Sequence, residues 1–131
     1  MVVEKDVRNF GNFVETLYGF SEAVKVGDTI YIAGQTAFGE DDSFDGEGDM
    51  AVQMRRAYSN IERLLGMYGA SMQAVVDETL FVTDMAAAIT VANDVRKEIY
   101  GGRFELASTL CEVSGLGAPQ LLVEIKCTAR V

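Results

Sequence analysis

The sequence predicts an α+β domain, one mixed β-sheet with two helices packed on one face. Three observations carry this. Two windows, residues 50–68 and 86–100, repeat apolar residues at steps of three and four, the spacing of a helix with one buried stripe. Around them lie short runs that alternate or stay apolar, as strands do. The chain has 131 residues, 49% of them hydrophobic, which suits one core and would leave two cores thin. No repeat or linker divides it, so a single domain over residues 1–131 is expected.

The elements follow in order. Phe20 to Val26 and Thr29 to Ala33 read as two strands joined at Gly27-Asp28, a dipeptide suited to a tight hairpin turn. Ile30-Tyr31-Ile32-Ala33 is apolar throughout and is expected to be buried on both faces. At its end, Gly34 would let a ligand or another backbone come close. Asp49 is placed to cap the first helix, with a stripe of Met54, Ala57, Tyr58, Ile61, Leu64, Leu65 and Tyr68, and Gly69 stops it. Val75 to Thr83 is a third strand. Asp84 precedes the second helix, whose inner stripe is Ala88, Val91, Ala92, Val95 and Ile99 and whose end is Gly101-Gly102. Two strands, Ala107 to Val113 and Leu121 to Arg130, finish the chain. In the last, Leu121, Val123, Ile125, Cys127 and Ala129 point one way, and Leu122, Glu124, Lys126, Thr128 and Arg130 the other. The order β-β-α-β-α-β-β leaves one sheet face without helices. Leu110 and Leu122 make that face partly apolar, so another copy of the chain is expected to cover it.

Composition limits the chemistry. Twenty acidic against 11 basic residues give a formal charge of −9. A surface this negative repels phosphate backbones and anionic membranes unless a basic patch overrides it, and Arg55-Arg56 and Arg96-Lys97 are isolated pairs, so no nucleic acid and no membrane partner is expected. Histidine is absent, which excludes Ser-His and Cys-His nucleophile pairs and removes the commonest transition-metal ligand. Cys111 and Cys127 have no CxxC spacing and read as two small buried residues of a reduced, cytoplasmic protein. The first residues lack a signal-peptide apolar run, and no stretch is long enough to cross a bilayer. The acidic loop from Glu40 to Asp49 follows EF-hand ligand spacing at Asp41, Ser43, Asp45, Glu47 and Asp49. It carries Val52 where the bidentate glutamate belongs, so it reads as a solvated loop.

Few side chains are left to do chemistry. Glu124 sits on the less apolar side of a regularly alternating strand. Beneath a second subunit it would be desolvated and able to act as a base or position a water, while without one it is a surface glutamate beside Lys126 or Arg130. Ser108 and Ser114 flank the penultimate strand without a base. Arg103 either clamps a carboxylate or solvates its loop.

Several stretches, taken together, resemble a known family: Val26 to Gln35, Asn60-Ile61 in the first helix, Gly69-Ala-Ser71, Glu78 to Asp84, and Leu122-Val-Glu-Ile125. They are similar to the Rid proteins, the reactive-intermediate deaminases also called the YjgF or L-PSP endoribonuclease family, over about Phe20 to Val131. The resemblance implies a chorismate-mutase-like fold, a homotrimer with small-molecule clefts between subunits, and cofactor-free hydrolysis of enamines and imines to a 2-keto acid and ammonia. It maps a water-placing glutamate onto Glu124 and a glycine onto Gly34. The arginine that grips the substrate carboxylate maps onto Ser108, and an aromatic hydroxyl maps onto Phe20. Loss of a bidentate clamp costs a few kcal/mol, about a hundredfold in affinity. Arg103 reaching in from the preceding loop is the candidate to replace it; alternatively, Ser108, Thr109 and Leu110 with exposed backbone amides bind a neutral polar or less acidic ligand. The expected site is thus a crevice with Glu124 beside Ser108.

Overall fold

The computed structural model describes residues 2–131, and among them ten elements form one layered α+β unit. In chain order they are β1 (Asp6–Arg8), α1 (Phe13–Tyr18), β2 (Ala23–Val26), β3 (Thr29–Gln35), α2 (Met50–Gly66), a 3-10 turn (Met72–Ala74), β4 (Val75–Val82), α3 (Met85–Tyr100), β5 (Ala107–Glu112) and β6 (Val123–Arg130). The six strands make one sheet in the order β1-β2-β3-β6-β4-β5. Only β4 and β5 run parallel, with α3 as their crossover.

The turn and cap residues act as the sequence predicts. Val26 pairs with Thr29 across Gly27-Asp28, and Gly27 has φ +56°, a left-handed conformation glycine takes without strain. Asp49 accepts from Val52 N at 3.1 Å, Asp84 accepts from Ala87 N at 3.1 Å, and Gly101 ends α3 at φ +67°. The stripes of both helices and the inward residues of β3, β4 and β6 form a continuous core around Tyr58, Ile61, Leu64, Leu80 and Ile125. Each such side chain contributes about 1.5–3 kcal/mol relative to exposure.

Four expectations are corrected. The strand read as Phe20 to Val26 begins at Ala23, because the chain bends to enter it from a short helix, α1, and an edge strand, β1, that were not read. Tyr31 is 51% exposed, since Ile30 and Ile32 take the core side and leave it on the open face. Leu110 pairs with Leu80 and packs on the core, so it does not make the open face apolar; Tyr31 and Phe81 do that instead. Cys111 is exposed, because β5 is an edge strand, whereas Cys127 is buried as expected and its thiol pKa is pushed up to about 12 by burial.

Candidate functional site

A cavity of about 760 Å³ opens between α1, the end of β3, the 36–42 loop and the residues leading into β6. That size suits a small organic ligand. Glu124, Gly34 and Phe20 line it. A bulge adjoins the site: β3 and β6 pair at Ile32–Cys127 and again at Gln35–Ile125, so Ala33 and Gly34 stand opposite a single residue of β6, Lys126, and Glu124 follows one residue beyond the Ile125 pair. The carboxyl folds onto Gly34, where a Cβ would lie only 2.7 Å from Glu124 Cδ. Glycine here makes room for the carboxylate. Burial raises the Glu124 pKa above the usual carboxylate value, and Lys126 lowers it only in part.

The remaining predicted residues are elsewhere. Ser108 does not share a face with Glu124. Its hydroxyl donates to Glu78 Oε2 at 2.6 Å on the helix-covered side of the sheet. Leu110 lies on that same side, packed on the core. Thr109 is exposed on the open face, paired with Thr79. Arg103 is exposed and donates to Glu105 at 2.7 Å. The structure therefore brings together Glu124, Gly34 and Phe20, and separates them from Ser108, Leu110 and Arg103.

Glu78 was missed. It is fully buried, and Oε1 accepts from Tyr58 and Tyr100 hydroxyls, each at 2.7 Å, while Oε2 accepts from Arg96 Nε at 2.7 Å and from Ser108. Burial and this carboxylate push both tyrosine pKa values well up. The signal was available: Glu78 has the same parity as Leu80 and Val82, the core side of β4. Glu22 and Gln35 were missed too. Both are buried and line the cavity, and Gln35 Nε2 donates to Glu22 Oε1 at 3.0 Å. The hairpin register leads to Glu22, since continuing the Ala23–Ile32 pair sets it against Ala33, whose N–H donates to Glu22 O at 2.8 Å.

Comparison with known proteins decides the lineage. The sequence profile of the family described as Endoribonuclease L-PSP matches residues 11–131. The chain belongs to this Rid/YjgF family. It is 33% identical over 110 residues to a RutC family protein of Pyrococcus abyssi, covering 84% of each chain. It is 29% identical over 91 residues, 70% of each chain, to a protein of Dermatophagoides farinae named 2-iminobutanoate/2-iminopropanoate deaminase. Among solved structures, a YjgF/YER057c/UK114 family member from Mycobacterium tuberculosis superposes with a TM-score of 0.85 at 32% identity, covering 98% of this chain and 100% of that one. The RidA of the Antarctic bacterium Psychrobacter superposes at 0.82 with 25% identity, covering 95% and 98%. The Rid proteins' α+β fold is thus the fold seen here. No helix among the described residues is long and apolar enough to cross a membrane.

Proposed function

We propose that the cavity is a hydrolytic deaminase site that converts an imine or enamine to the carbonyl compound and ammonia without a cofactor. The observation that carries this reading is Glu124, half-buried in the cavity wall and folded onto Gly34. A desolvated carboxylate with few partners is a better base than a solvated one, so Glu124 can hold a water and accept its proton as the oxygen adds to the C=N carbon. The resulting carbinolamine then loses ammonia. The deaminase name of the mite relative supports the same chemistry.

In this reading the active form is a cytoplasmic homotrimer whose copies cover the open faces bearing Tyr31, Phe81 and Glu124. Sedimentation of a monomer at micromolar concentration would exclude it. The test of the chemistry is ammonia release from 2-iminobutanoate and from a carboxylate-free imine, each generated in situ. Acceleration over buffer that falls about a hundredfold in Glu124→Gln is the expected result. No acceleration with either compound overturns it.

A second reading, a non-catalytic metabolite-binding protein, draws on one observation: among the described residues no Lys or Arg lines the cavity to grip an acidic substrate. Ribonuclease activity is the weakest reading, because a charge of −9 opposes RNA.

A further inference from the structure

Glu22 is 5% exposed, and it lines the cavity on the far side of β3 from Glu124. Its position is fixed by the backbone: Glu22 N donates to Asn9 Oδ1 at 2.8 Å, and Glu22 O accepts from Ala33 N. One carboxyl oxygen, Oε1, takes the Gln35 amide, and Oε2 has no donor in hydrogen-bonding geometry among the described residues. The Glu22 carboxyl lies beside the side chains of Glu15 and Asn12, and Glu22 and Asn12 both line the cavity. The neighbouring carboxyl, Glu15, accepts from the backbone N–H groups of Phe10, Gly11 and Asn12 and has nothing to donate. Burial raises the Glu22 pKa, the Gln35 bond lowers it, Glu15 raises it again, and Asn12 lowers it.

The lining that one copy supplies therefore carries three carboxyls, Glu22, Asp42 and Glu124, and among its described residues no cationic side chain. Two cations stand close by without lining it. Lys126 is exposed on the same face of β6 as Glu124 and lowers its pKa in part, and the Arg56 guanidinium lies against Gly39 at the cavity wall with its Nε unpaired. The other walls are aromatic: Phe10, Phe13, Tyr18, Phe20 and Phe38. Ring faces attract cations, and an anion here would meet like charge without a compensating donor pair.

We propose that the cavity selects a cationic ligand that lacks a carboxylate, a protonated imine or primary amine on an aromatic or branched apolar body, with Glu22 setting the choice. Its catalytic consequence rests on the deaminase reading, but the preference itself is a binding property. An entering cation favours the ionised forms of Glu22 and Glu124, so at a pH where either still holds its proton, uptake releases protons to the buffer.

Calorimetry on the whole protein tests this with two probes of one shape and opposite charge. Benzamidinium is a planar, stable analogue of a protonated imine, and benzoate is its anionic counterpart. The expected result is benzamidinium bound at least about tenfold more tightly than benzoate, as a directed charge pair with aromatic walls allows. Proton release, read from the dependence of heat on buffer ionisation enthalpy, should shrink in Glu22→Gln, together with the preference. Benzoate binding as tightly as benzamidinium, an unchanged preference in Glu22→Gln, or no binding of benzamidinium at millimolar concentration would each overturn the inference. So would benzoate binding that vanishes in Arg56→Met, which would make the cavity an anion site. The wild-type comparison of the two probes stands whether or not the variants fold. If no imine is turned over while benzamidinium still outbinds benzoate, the deaminase reading fails and the preference survives. If 2-iminobutanoate is hydrolysed and benzoate binds better, the reverse holds.

Discussion

Two buried carboxylate sites lie on opposite faces of one sheet and differ in how many donors they receive. Glu78, beneath α2 and α3, accepts four hydrogen bonds, from Tyr58, Tyr100, Arg96 and Ser108. Glu124, on the face that α2 and α3 leave open, has no hydrogen-bond donor among the described residues, and Glu22 has one. A carboxylate has room for about four donors, so the first is saturated and the other two are not. Saturation ties two helices and an edge strand to β4. Deficit leaves acceptor capacity for a water or a ligand, at the cost of desolvation that shows in the raised pKa values.

The largest expected effect breaks the saturated site. Glu78→Ala strands two tyrosine hydroxyls and the Arg96 guanidinium, which is itself only partly exposed, and removal of one partner of a buried charge pair costs about 3–5 kcal/mol. Urea unfolding should show this loss. A loss below about 1 kcal/mol would mean the network is ornamental.

Next in size is Gly34→Ala, which attacks the open site without touching the carboxylate chemically. The added Cβ would overlap Glu124, so the carboxyl must leave its place or β3 must shift. Turnover should fall about a hundredfold, as misplacing a reacting group by an ångström allows, while stability falls by about 1–3 kcal/mol. An alanine variant with full activity would show that the contact does not position the carboxylate.

Ser108→Ala sharpens the comparison with a smaller change. It removes one of four donors to Glu78, worth about 1.5–3 kcal/mol when the acceptor is charged, and it should leave imine hydrolysis unaltered. Lost activity at full stability would move Ser108 into the cavity's chemistry. Ser108→Arg should not restore a carboxylate clamp, because the side chain at 108 leaves the sheet on the side away from Glu124.

These variants also show how far the residues alone led. The helices, their caps, the Gly27-Asp28 hairpin and the parity of β6 were legible, because each follows from short-range spacing. So was Gly34 as a point of close approach, though the sequence does not say that Glu124 is what approaches. The short elements β1 and α1 escaped because three to six residues carry little periodicity; only the Asn12–Glu15 capping box and Gly19 marked the helix. Ser108 was placed beside Glu124 by likeness of sequence, and a one-residue difference in strand parity sends a side chain through to the other face. Glu78 and Glu22 escaped for a different reason: the partners that make a charged residue's burial tolerable lie 13 to 30 residues away in sequence, out of reach of local spacing.

The smallest effect is a pH dependence that separates the two kinds of carboxyl. Glu22 and Glu124 have folded pKa values above the ordinary 4.5, so each binds its proton more tightly in the folded chain than in the unfolded one. The stability this brings is fully present below pH 4.5 and is lost as pH rises through the raised folded value, after which it stays lost. A glutamine at either position cannot ionise and escapes that loss. The melting temperature of Glu22→Gln relative to wild type should therefore improve with rising pH across that window and level off above it, by a few degrees at most for a chain this size. Glu124→Gln should behave alike, and the double variant should show both increments, because β3 separates the two carboxyls. A relative melting temperature that is flat in pH, or that falls as pH rises, would mean the cavity solvates these carboxyls as well as water does, and the unsaturated site would lose the property that distinguishes it from Glu78.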